Sequence, residues 1–263
     1  MTTLQNSVKN TGRIRILENK TVFEKRDAVC KECGCIISET FIPFINKWVT
    51  DKCECQKLKE QQERAITETN KRLFTIRDYK RQSGIEPRYK TASFDNFTPA
   101  EQTKKALRTA RLYAEKFTEA EKNGTGLIFT GNTGSGKTHL ACAIANTLLE
   151  NGIQVKFITY SYLLQTINSA NDYGVTEGET IRSLQKARLL IIDDIAAQNA
   201  SEKGRYVMFS ILDKRINNLK PTIFTSNVTS LEELKTRFNE QIYDRIKGSC
   251  YKIELLSASH RTL

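Results

Sequence analysis

A chain of 263 residues, 39% hydrophobic and 27% charged, has room for one full α/β domain and a smaller module, and its composition is neither fibrous nor disordered. No apolar run reaches the ~18–20 residues of a membrane span, and residues 1–12 lack the apolar centre of a secretory signal, so a cytoplasmic protein without a membrane partner is expected. The net charge of +11 is divided between residues 1–85 (+6) and the remainder (+5), which favours a polyanionic partner such as nucleic acid without marking a basic tail.

Residues 1–55 hold five of the seven cysteines, Cys30, Cys33, Cys35, Cys53 and Cys55. A reducing compartment disfavours a disulfide framework, so the clustering points to a metal. Cys30-Lys31-Glu32-Cys33 and Cys53-Glu54-Cys55 supply two ligand pairs, and thiolates alone suit Zn²⁺ in a closed tetrahedral site. Cys35 is a fifth candidate, so spacing leaves open which four bind. So small a region has little core, and zinc should supply much of its folding free energy. Short β-like stretches fall at Cys35–Ser38 and Phe41–Ile45. Phe41, Phe44 and Trp48 would pack beside the metal or be offered to a partner.

Residues 56–87 form the next segment. From Gln56 to Ser83 it is rich in Gln, Glu, Lys and Arg, with no Pro or Gly, and reads as a long exposed helix or charged connector. Gly84-Ile85-Glu86-Pro87 then breaks the pattern.

Residues 88–263 alternate helix and strand. A helix is predicted over Pro99–Ala120, a strand at Gly126–Thr130 and a helix over Thr138–Leu149. Further strands follow at Gln154–Thr159, Arg188–Ile192, Thr222–Thr225 and Tyr251–Leu255. The intervening helices are Tyr162–Asn168, Ser201–Leu219, Leu231–Phe238 and Gln241–Lys247. Continuous apolar strands separated by helices indicate a parallel five-stranded sheet flanked by helices, an α/β fold. Cys142 and Cys250 sit in apolar patterns and read as small core residues.

Gly131-Asn132-Thr133-Gly134-Ser135-Gly136-Lys137-Thr138 matches G-x-x-x-x-G-K-[ST], after a strand and opening a helix. Glycines let backbone N–H groups converge on phosphates, and the helix adds its positive end. ATP is therefore the expected ligand, with Lys137 on the β- and γ-phosphates and Thr138 Oγ on Mg²⁺. After Leu189-Leu190-Ile191-Ile192, Asp193 should hold Mg²⁺ and Asp194 should orient and deprotonate the attacking water. Asn227, after the fourth strand, reads as a γ-phosphate sensor or as a turn residue. Arg245 and Arg261 are candidates for γ-phosphate contact or surface charges.

Gly131–Ala141 (GNTGSGKTHLA), the LLIIDD strand, Thr225-Ser226-Asn227, Asp244-Arg245-Ile246 and Ser257-Ala-Ser-His-Arg261 together resemble the DnaC/DnaI family of bacterial and phage AAA+ replicative helicase loaders. The resemblance spans residues 88–263. It implies an AAA+ P-loop ATPase fold, ATP-dependent self-association, binding to a hexameric replicative DNA helicase, and its delivery onto single-stranded DNA. The zinc-type module resembles the part of DnaI-like loaders that binds the helicase. By the same resemblance Asn227 is sensor I, Arg261 the sensor II arginine and Arg245 the finger completing a neighbour's site, with Arg237 its substitute. DNA contacts would fall in Tyr160–Lys186 and Ser201–Arg205, Ser201 and Lys203 above all. Asp194 stands where many AAA+ proteins carry Glu, and the shorter carboxylate points to slow, switch-like ATP hydrolysis that sets conformation more than it drives a fast motor. The competing readings are a transposition-helper ATPase of the IstB branch, a small-molecule kinase, and a non-catalytic zinc adaptor with structural ATP.

Overall fold

In the computed structural model, residues 14–17, 20–168, 177–197 and 199–256 are described. They fall into two compact units, residues 1–71 and 72–263.

The first unit opens with a hairpin of β1 (Ile14–Leu17) and β2 (Lys20–Phe23). A three-stranded antiparallel sheet follows, made of β3 (Lys25–Val29), β4 (Ile36–Ile42) and β5 (Lys47–Thr50) with β4 central. The two β-like stretches read from the sequence are therefore one strand, ended by a 3₁₀ turn at Pro43–Ile45 where proline cannot extend the ladder. The flanking strands β3 and β5 escaped the sequence because charged residues interrupt their pattern. Helix α1 runs from Glu54 to Gln82 with no buried residue among its 29, and the boundary between the units falls within it.

The second unit is a doubly covered sheet. Lys104–Glu115 (α2) and Phe117–Asn123 (α3) replace the single predicted helix, because the backbone at Lys116 leaves helical geometry (φ −100°, ψ 22°). Then come β6 (Gly126–Thr130), α4 (Lys137–Glu150), β7 (Val155–Thr159), α5 (Tyr160–Asn168) and α6 (Glu177–Lys186). After them lie β8 (Leu189–Ile195), α7 (Glu202–Asn217), β9 (Thr222–Ser226), α8 (Glu233–Arg237), α9 (Glu240–Ser249) and β10 (Cys250–Glu254). All five strands are parallel, in the order β10-β6-β9-β8-β7.

Side-chain alternation explains the apolar runs. Leu127 and Phe129 join the core beneath α2 and α4, while Ile128 points into the core beneath α5, α7 and α9. Leu189 and Ile191 divide from Leu190 and Ile192 in the same way. Both faces are covered by helices, so Leu127–Phe129 and Leu189–Ile192 are apolar at every position.

One buried cation supports this frame. Arg215 of α7 is fully buried and donates to the carbonyls of Leu184, Ala187 and Pro221 and to Thr222 Oγ1, at 2.6–2.9 Å. It satisfies the C-terminal carbonyls of α6 and ties them to the start of β9. Burial pushes its guanidinium down to about 9, so it keeps its charge at neutral pH. Among the described residues, no helix is long and apolar enough to cross a membrane.

Candidate functional site

The cleft of the second unit lies at the C-terminal ends of β6, β8 and β9, where a parallel sheet collects its loops. It has a volume of about 590 Å³, and its walls include Thr133, Gly134, Gly136, Lys137, Thr138, Asp193, Asp194, Thr225 and Asn227. Between β6 and α4 the loop Gly131–Gly136 turns on three glycines of positive φ. A Cβ on Gly131 would stand 1.9 Å from the carbonyl oxygen of Leu255, and one on Gly136 2.4 Å from the Phe97 ring. Neither position admits another residue without displacing its neighbour.

Lys137, nearly buried, donates from Nζ to the carbonyls of Gly131 (2.8 Å) and Asn132 (2.7 Å), which holds the ammonium over the loop. Thr138 Oγ1 donates to Asp193 Oδ1 at 2.9 Å. Thr225 Oγ1 donates to the same oxygen at 2.5 Å. Burial raises the Asp193 carboxyl above the usual carboxylate range, opposed by these two hydroxyls. The neighbouring Asp194 is exposed, has φ 54°, and accepts from Asn227 Nδ2 at 2.9 Å. The loop, both carboxylates and Asn227 thus meet in one cleft, with hard oxygen donors (Thr138, Asp193) of the kind Mg²⁺ takes.

The segment ahead of α2 forms the opposite wall, which the sequence did not disclose. Arg88, Tyr89, Asn96, Phe97 and Thr98 line the cleft. Asn146 of α4 donates to the carbonyls of Tyr89 (3.0 Å) and Ala92 (2.7 Å), and His139 lies 3.0 Å from the Ser93 carbonyl. No sequence signal marks these residues, because the contacts depend on backbone carbonyls.

The remaining candidates lie elsewhere. Arg245 on α9 donates to Asp213 at 2.7 Å and stacks on Phe209 at 4.0 Å, outside its own chain's cleft. Arg237 donates to Asn199 at 3.3 Å. Ser201 caps α7, its Oγ accepting from the Gly204 N–H at 3.1 Å, and Lys203 pairs with Glu177 at 3.4 Å. Neither lines the cleft. Arg261 lies outside the described residues, as do Ser257–His260 and residues 169–176 of the inserted segment.

In the first unit, the Sγ atoms of Cys30, Cys33, Cys53 and Cys55 all lie within 4.8 Å of one another. Zn–S bonds of ~2.3 Å set tetrahedral thiolates ~3.8 Å apart, so these four fit a zinc shell. The Cys30–Gly34 turn carries Cys33 back, with the Gly34 N–H donating to the Cys30 carbonyl (2.9 Å) and Gly34 at φ 74°. Cys35 stands outside the group, its Sγ 3.0 Å from that of Cys33. A hydrogen bond from Cys35 pulls the Cys33 thiol down to about 6, towards the thiolate a metal binds.

A P-loop on a parallel 5-stranded sheet of this order, with a carboxylate pair on the strand two places away, defines an AAA+ P-loop ATPase fold. The family model of IstB-like ATP-binding proteins matches residues 57–262, and this chain belongs to that family. It is 32% identical over 185 residues to the replicative helicase loader DnaC of Escherichia coli K12, covering 70% of this chain and 74% of that protein. A DnaC of Buchnera aphidicola is 34% identical over 186 residues, again at 70% and 74% coverage. The crystal structure of the DnaC helicase loader superposes with a TM-score of 0.59 at 27% identity, over 65% of this chain and 99% of that one. The structure of DnaI, at 24% identity and TM-score 0.60, shares the fold over 70% of this chain and 99% of its own.

Proposed function

We propose that this protein is an ATP-dependent loader that binds a hexameric replicative DNA helicase and delivers it onto single-stranded DNA. The observation that carries the reading is the network joining Thr138, Asp193 and Thr225 beside Asp194 and Asn227, which suits hydrolysis of a bound triphosphate. The curated relatives named as helicase loaders favour this use of the site over transposition or small-molecule phosphorylation.

In this reading the loop Gly131–Thr138 cradles ATP through its N–H groups, and Lys137 leaves the Gly131 and Asn132 carbonyls for the β- and γ-phosphates. Thr138 and Asp193 hold Mg²⁺, which when bound neutralises charge developing on the phosphates. Asp194 takes the proton of the attacking water while Asn227 fixes its carboxylate. Arg245 leaves Asp213 to complete the site of a neighbouring copy, and Arg261 senses the nucleotide from the chain's end. Residues 88–263 form the ATPase domain and 56–87 the charged connector.

Residues 1–55, folded around Zn²⁺ on Cys30, Cys33, Cys53 and Cys55, bind the helicase. Phe44 (86% exposed) and Ile36 (73% exposed) supply apolar surface for that contact. Ser201 and Lys203 contact DNA. Co-purification with replicative helicases tests the proposal. The full chain should retain its cognate helicase, and a chain lacking residues 1–71 should lose it. Absence of any helicase from both would refute the loader reading.

A further inference from the structure

Strand β8 breaks its ladder with β9 near its end. Its pairing with β9 runs in register from Leu190–Thr222 to Ile192–Phe224 and resumes only at Ile195–Ser226. Within this irregularity Asp194 has φ 54°, and Ala196 just beyond it has φ 64°. Asp visits this left-handed region more readily than most residues with a Cβ, and Ala only when its surroundings fix it there.

Two hydroxyls of β9 do the fixing. Ser226 Oγ donates to the Ile195 carbonyl at 2.8 Å. Thr225 Oγ1 accepts the Asp194 N–H at 2.9 Å and spends its only proton on Asp193 Oδ1 at 2.5 Å. Thr225 is 1% exposed in a strand whose preceding residues, Ile223 and Phe224, are apolar core. A hydroxyl there costs free energy unless bonded, and its two bonds go to the Asp193 carboxylate and the Asp194 backbone N–H.

We propose that Thr225 is a positioning residue of the ATPase site. One hydroxyl turns the Asp193 carboxylate towards Thr138 and locks the Asp194 backbone so that its own carboxylate meets Asn227. This rests on the ATPase reading and adds to it the group that couples the two acids. The function of Thr225 would then be felt when metal and water are placed, and much less when nucleotide alone is bound.

Thr225→Val removes the hydroxyl at nearly constant shape, and Thr225→Ser keeps it. In the full chain, binding of a fluorescent ATP analogue is titrated with and without Mg²⁺, and ATP turnover and thermal melting are measured in parallel. Thr225→Val should bind metal-free nucleotide within about twofold of the native chain, need about tenfold more Mg²⁺ for tight binding, and lose about tenfold or more in kcat with KM within about threefold. Thr225→Ser should stay within about threefold of native throughout. Native kcat and Mg²⁺ requirement in Thr225→Val, or equal loss in Thr225→Ser, overturns the proposal. If Thr225→Val does not melt cooperatively, Thr225→Ala is compared with Thr225→Ser by the same criteria. A native chain that never turns over ATP refutes the ATPase reading instead, and the Mg²⁺ titration then decides whether Thr225 positions Asp193.

Discussion

Among the described residues of the first unit, only Cys30, Phe41 and Cys53 are buried hydrophobic side chains, whereas the second unit buries two continuous clusters on either side of its sheet. Two of those three are cysteines of the four-thiol group. The first unit thus buries little besides thiols that could hold a metal ion, and the second buries apolar surface removed from water. Each should fail under a treatment that spares the other.

Chelation has the largest effect. Structural zinc contributes on the order of 10 kcal/mol of folding free energy to small thiolate modules, so if the four thiols hold zinc its removal should unfold the sheet β3–β5 while the second unit melts unchanged. Amide hydrogen exchange before and after a strong chelator reads both units at once. Equal protection of β4 in either condition would contradict zinc as the organiser.

Phe129→Ala should do the reverse. Phe129 is fully buried in β6, and its truncation should cost about 3–5 kcal/mol in the melting of the second unit. Zinc content, measured by release to a colorimetric chelator, should stay at the native value.

The smallest effect sharpens the contrast within the second unit itself. Burial raises the Asp193 carboxyl, so the nucleotide-free fold binds that proton more tightly than the unfolded chain does. Its contribution to stability is present at acid pH and lost as pH rises through the folded value. Asp193→Asn should therefore raise the nucleotide-free melting temperature at pH 7 by roughly 2–4 °C, with the gap closing towards pH 4. A lower melting temperature at pH 7 would show that the charge is already compensated.

The two units also differed in how far their sequences could be read. The glycines of the P-loop, the LLIIDD strand and the alternation of strand with helix follow from local chemistry, and the parallel 5-stranded sheet has the residues that pattern predicts. Helix α6 was not legible because Ile181 and Leu184 are its only large apolar residues. Arg215 looked like any helix arginine, since its burial is created by three carbonyls from the end of α6 and the turn before β9. Thr225 was visible within Thr225-Ser226-Asn227, yet its link to both aspartates depends on the irregular end of β8. In the first unit, spacing found five thiols, and only the turn at Gly34 separated Cys33 from Cys35.

Under the proposed function, the cleft around Lys137 controls delivery of a helicase. The most direct test is helicase loading onto single-stranded DNA, read as unwinding of an adjacent duplex, with the native chain and with Lys137→Ala. The native chain with ATP should stimulate unwinding, and Lys137→Ala should leave it at the level of helicase alone despite an unchanged fold. Equal stimulation by both, or none by the native chain with its cognate helicase, would show that the Lys137 cleft does not control helicase delivery.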